Sequence, residues 1–166
     1  MLDAFLLSLH DTSIATAIRE GERLFPWIEC LHVLALTLVI GSIAVVDLRL
    51  IGLTSRDRGV AETTAAVLPV TWIAFVCAAI TGTLMFSSNA TLYAHNVFFQ
   101  IKMALLATAG INVCAYHLFV SRGMEAWHSP AVTPMRARVA GALSLCLWVA
   151  VVACGRWIGF TINAPT

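Results

Sequence analysis

The chain has 166 residues, of which 60% are hydrophobic and 11% charged, whereas an average soluble domain is about 25% charged. A net charge of +1 leaves no electrostatic footprint for nucleic acid, and a mean hydropathy of +0.87 excludes an ordinary water-soluble domain. The composition predicts an all-α integral membrane protein, because helices satisfy their own backbone polar groups in lipid.

Residues 1–24 precede the first long apolar run and form a segment of their own. Leu2, Phe5, Leu6 and Leu9 recur at helical spacing, and Ile14, Ile18 and Leu24 follow a cap at Asp11, Thr12 or Ser13. Asp3 stands where a signal peptide carries positive charge, and Arg19, Glu20, Glu22 and Arg23 follow without a small-residue cleavage pattern, so the segment reads as retained. An interfacial amphipathic helix fits both pieces.

Residues 25–166 read as a four-helix transmembrane bundle, with spans at 26–51, 67–86, 97–120 and 139–162. Pro26 suits a first helical turn; Trp27, Trp72 and Trp157 suit membrane interfaces; Ser87-Ser88-Asn89 and Ser129-Pro130 punctuate loops. An up-down-up-down topology follows. The first and third connections hold Arg49, Arg56, Arg58, Arg122, Arg136 and Arg138, against Arg19 and Arg23 on the amino-terminal side, which places both termini outside. In a bacterial cell this means the inner membrane with periplasmic termini.

All five cysteines, Cys30, Cys77, Cys114, Cys146 and Cys154, fall within spans and read first as small apolar packing residues. A soft-metal site of Cys30, Cys154 and Met103 is the lesser reading.

Ionisable residues inside a membrane are costly and mark function or pairing. His32 and Glu29 lie early in span one, Lys102 early in span three and Arg156 late in span four. The alternating directions bring all four near the outer leaflet. A neutral imidazole in an apolar bundle is a natural axial ligand for haem iron, and cations at its depth match two propionates. This predicts a haem b pocket with His32 on the iron, Lys102 and Arg156 on the propionates, and Glu29 orienting His32 or relaying a proton. The competing arrangement is an ion-paired patch in which Glu29 neutralises Lys102 or Arg156 and His32 bonds a backbone carbonyl. For a sixth ligand, His95 qualifies if the helices stagger, Lys102 is nearer in depth, and five-coordinate iron stays open. His117, near the end of span three, lies roughly 20 Å from His32 along the membrane normal, so these two cannot share an iron.

At the inner face, Asp47, Arg49 and His117 form a smaller constellation, which reads either as a paired span end or as a second functional site. His10 and His128 read as surface residues.

The pattern LHVLALTLVIG with DLRL, then ITGTLM, then FFQIKMALL ending in AYH, resembles the HemJ-type protoporphyrinogen oxidases and the CopD-type copper resistance membrane domains. With its FPWIECLH opening and CGRW near the end, the chain is most similar to an uncharacterised bacterial group of four-helix membrane proteins, over residues 25–160. The HemJ resemblance implies haem b ligated through His32, with Arg49 and Lys102 at functional positions. The CopD resemblance implies copper uptake.

Three function classes follow. The leading one is a haem b protein, a membrane oxidoreductase or electron carrier working between a quinone or porphyrin-like donor and an external acceptor. The second is copper or small-solute transport, for which Thr37, Thr108 and Asn112 supply only a thin polar path. The third is a non-catalytic accessory subunit of a larger membrane complex, or a homo-oligomer, contacting chiefly membrane lipid.

Overall fold

The computed structural model describes residues 2–54, 60–116 and 134–162. These fold into seven helices, α1 (Leu2–His10), α2 (Ser13–Glu20), α3 (Leu24–Ile51), α4 (Val60–Ser88), α5 (Ala90–His95), α6 (Val97–Ala115) and α7 (Met135–Ile162), with no strand among the described residues. Four of them, α3, α4, α6 and α7, are long and apolar enough to cross a bilayer. The protein is therefore an all-α integral membrane bundle. Helix α4 begins seven residues before the expected span and α7 four before it, because the first turns of both add polar ends to the apolar stretch. The end of the third span, including His117, lies outside the described residues.

The helix boundaries follow from local chemistry. Thr12 caps α2, its Oγ1 accepting from the Ala15 N–H at 3.3 Å. Pro26 sits in the first turn of α3, where a missing N–H breaks no ladder bond. The same helix ends at Gly52, which takes φ 90° and donates to the carbonyls of Leu48 and Arg49, while Leu53 N–H returns to Leu48. A side chain there would meet the steric penalty of the left-handed region. Asn96 caps α6 by accepting from Phe99 N–H at 3.2 Å, and its amide donates to Thr161 on α7 at 2.8 Å.

Helix α3 packs along both α4 and α7, and α6 packs along α7. Their shared middle is an apolar core of Val39, Ala74, Ala109, Leu147, Trp148 and Val151. Helices α4 and α6 have no comparable contact along their length and meet through rings at the outer end, where Phe86 stacks on Phe99 with centroids 5.3 Å apart.

The amino-terminal helices dock on that same end. Leu6, Ala15 and Ile18 are buried there, α2 packing on α4 and α3 and α1 on α5. Arg19 fastens the arrangement: one guanidinium nitrogen donates to the carbonyls of His10 and Ser88, each at 3.2 Å.

Candidate functional site

The end of the bundle that holds the start of α3 and the end of α4, outer in the orientation expected from the arginines, gathers polar groups from antiparallel helices. His32 lies eight residues after the start of α3, and Thr81 seven before the end of α4, so each is about 11 Å along its helix from the same end. Their side chains meet, with His32 Nδ1 2.9 Å from Thr81 Oγ1. The Thr81 hydroxyl has one proton, and it is directed at its own helix, to Cys77 O at 2.7 Å and Ala78 O at 3.2 Å. Toward the imidazole it therefore accepts, and Nδ1 carries the proton. The Ala78 carbonyl beside the ring also demands a donor. Nε2 is left as the basic nitrogen, the form in which histidine ligates a metal.

The next residue on α4 makes room for the ring. A Cβ at Gly82 would stand 3.0 Å from His32 Cε1, closer than a side chain tolerates against a helix-anchored imidazole. On the opposite pair, Lys102 of α6 lies against Gly155 of α7, where a Cβ would be 3.6 Å from Nζ. Lys102 is close enough to act electrostatically on His32 and lies beside Cys154. Among the described residues its ammonium group has no hydrogen-bond or ion-pair partner. One imidazole and one lysine amine without a hydrogen-bond or ion-pair partner among the described residues thus share this end of the bundle.

The other sequence candidates are distributed differently. His95 caps the end of α5 on the surface: its Nδ1 faces the Thr91 carbonyl at 2.9 Å and its Nε2 lies 4.0 Å from Asp3 on α1. Both nitrogens are engaged away from α3, so His95 is not brought to His32 as an iron ligand. Arg156 is exposed on α7 and its guanidinium lies 4.8 Å from the centre of the Phe160 ring. Glu29 is exposed at the first turns of α3. Its charge is felt by Tyr93 of α5, whose phenol is pushed above its ordinary value by burial first and by Glu29 second. Of the competing patch, no ion pair joins Glu29 to Lys102 or Arg156 among the described residues, whereas His32 does have a backbone carbonyl, that of Ala78, beside its ring.

Asp47 and Arg49 sink into the bundle at the inner end, at 5% and 2% exposure. Two residues apart, they point about 200° away from each other around the helix, and Asp47 bonds with Ser144 of α7. Cys30 and Met103 are exposed, and the described residues contain no group of three His, Cys, Asp or Glu able to hold a metal ion. Haem needs only one such ligand, so that absence does not bear on it.

Residues 21–161 match a family of unknown function, DUF6644. The chain belongs to that family. Its matched region takes in all four long helices and the His32, Thr81, Gly82, Lys102 and Gly155 cluster, whereas α1 and α2 lie before it. No curated protein and no solved structure matches the chain.

Thr81 and Gly82 were not among the residues singled out from sequence. The available signal was depth: counted from the outer ends of antiparallel spans, Thr81 stands level with His32, and a hydroxyl beside a glycine is the natural neighbour for an imidazole.

Proposed function

We propose that this protein binds haem b near the outer leaflet through His32 and acts in electron transfer or related membrane redox chemistry. The observation that carries this reading is the 2.9 Å contact between His32 Nδ1 and the Thr81 hydroxyl, which itself donates to Cys77 O. With Thr81 accepting from Nδ1–H, the ring is steadied and Nε2 is left as an oriented ligand in an apolar bundle. The residues present fit the group. Gly82 stands where a side chain would crowd the imidazole, and the Lys102 amine beside Gly155 is a group that a propionate would answer.

A haem held there would supply a one-electron iron centre, and the protein's part is to ligate, orient and tune it. His32 is the ligand, Thr81 fixes its tautomer, and Lys102 favours the more negative state of what it faces. Arg156, exposed on the same level of α7, serves a carboxylate at the surface only by turning from Phe160. Glu29, exposed at the first turns of α3, is the carboxylate available to relay a proton, with a quinone or porphyrin-like molecule as the electron donor. The arginine distribution supports a bacterial inner-membrane location with periplasmic termini.

Transport is less favoured. The Thr37 and Thr108 hydroxyls donate to Val33 and Ala104 of their own helices on the exposed surface, and Asn112 donates to Ala140. The middle of the bundle is an apolar core, with the Thr71–Ser42 hydroxyl pair beside it between α3 and α4.

The deciding experiment is an absorption spectrum of the detergent-purified protein, oxidised and dithionite-reduced, with pyridine haemochrome quantitation. A reducible Soret, α and β band set at about one haem per chain, lost in His32→Ala and kept in His128→Ala, is the expected result. A colourless protein from cells well supplied with haem, or equal haem in both variants, refutes the reading.

A further inference from the structure

Asp47 is the one buried carboxylate among the described residues, and its Oδ2 has no hydrogen-bond partner there. The donor that reaches its carboxyl is the Ser144 hydroxyl, across the seam between α3 and α7. That seam is tight: a Cβ at Gly141 would meet Leu50 Cβ at 3.0 Å and the Asp47 carbonyl at 3.1 Å. The whole Asp47 residue is 5% exposed.

Burial with a neutral hydroxyl beside it makes an ionised carboxylate costlier than the neutral acid, which favours the protonated form. The charged and titratable neighbours on each packed element leave this unchanged. On α3, Arg49 lies about 200° around the helix from Asp47 and is itself engaged. At the end of α6, Tyr116 senses Asp47 and is itself neutral as a phenol. Arg136 and Arg138 of α7 and Glu62 of α4 are exposed near the inner end.

We propose that Asp47 is a proton-binding site serving the inner face of the membrane: its carboxyl is neutral at rest and carries one exchangeable proton. The chemistry is the association of one proton with one carboxylate, with no redox partner. Asp47 stands four residues, about 6 Å, from the end of α3, so its route to water is short. On its other side lies the core of Val39, Ala74, Ala109, Leu147 and Val151, beside which the polar pair between α3 and α4 is the Thr71 hydroxyl donating to Ser42 Oγ at 2.8 Å. The nearer exit for the proton is the inner side. A carboxylate and a hydroxyl are also too few oxygens for Ca²⁺ or Mg²⁺, which take six or more. The site stands independently of any haem at the outer end.

The test is infrared spectroscopy of the full chain in lipid vesicles at neutral pH, in H₂O and D₂O. The expected result is a protonated-carboxyl C=O band that shifts on deuteration, moves in Ser144→Ala and disappears in Asp47→Asn, with the melting temperature of Asp47→Asn unchanged or raised. If Asp47→Asn does not fold, Asp47→Glu keeps the carboxyl and must move the band. No protonated-carboxyl band in the wild-type protein, or the same band in Asp47→Asn, overturns the proposal. So does a large stability loss in Asp47→Asn that Arg49→Gln restores, which would make Asp47 the charged half of an ion pair.

Discussion

Replacing Thr81 by valine keeps the shape of a buried side chain and removes only its hydroxyl. In the wild-type protein that hydroxyl accepts from His32 Nδ1–H at 2.9 Å while donating to Cys77 O at 2.7 Å. Valine leaves the imidazole N–H facing a methyl group, with the Ala78 carbonyl as its remaining acceptor. Interhelical hydrogen bonds in membrane bundles contribute about 0.6 kcal/mol on average and up to about 1.7, so the fold survives with a modest loss. The ligand geometry suffers more, because freeing the ring lets either nitrogen hold the proton. Loss of a group that orients a metal ligand lowers affinity about 10- to 100-fold, which is about 1.4 to 2.8 kcal/mol. Haem transfer to an apo-globin acceptor, timed by the Soret band, measures this directly. Thr81→Val should release haem in that range faster, Thr81→Ser should match the wild-type protein, and His32→Ala should retain none. Unchanged release from Thr81→Val, with His32→Ala still defective, would refute the role given to the tautomer.

Gly82→Val should be harsher than Thr81→Val, since its Cβ alone would sit 3.0 Å from His32 Cε1; overpacking of this kind costs about 1–3 kcal/mol, read as a lowered melting temperature together with reduced haem content. Gly52→Ala should destabilise by about 1 kcal/mol through the left-handed backbone at φ 90°, measured by denaturant unfolding in detergent, with haem affinity unaltered. Arg19→Ala removes the donor that joins His10 and Ser88, so limited proteolysis should cut the segment between α2 and α3 faster while the bundle stays intact. Tyr93, raised by burial and then by Glu29, holds its proton longer when folded than when unfolded, so its contribution to stability is present below pH 10 and is lost as pH rises toward the folded value. Glu29→Gln should bring the Tyr93 ultraviolet titration back toward its ordinary value, and no movement would separate the two residues.

The sequence by itself determined the class and topology. Sixty per cent hydrophobic composition and four apolar runs of membrane length leave helices as the only way to satisfy the backbone, and short connections make neighbours antiparallel. It also fixed depth, because rise per residue is constant: His32, Lys102 and Arg156 are level for that reason alone. Azimuth is what it could not supply. Near-uniform apolarity gives little sign of which face turns inward, so Arg156, next in the chain to the Gly155 that faces Lys102, lies outward over Phe160. The partners of His32 and Asp47, Thr81 and Ser144, come from other helices, and only the packing of α3 between α4 and α7 chose them. The same holds for His95, which its proximity in sequence to α6 placed near His32, but whose Nε2 lies 4.0 Å from Asp3 where α1 docks on α5. Period and length act along a chain, whereas contact between chain-distant side chains is set by how helices rotate to fill space, and that was decided by the tertiary structure.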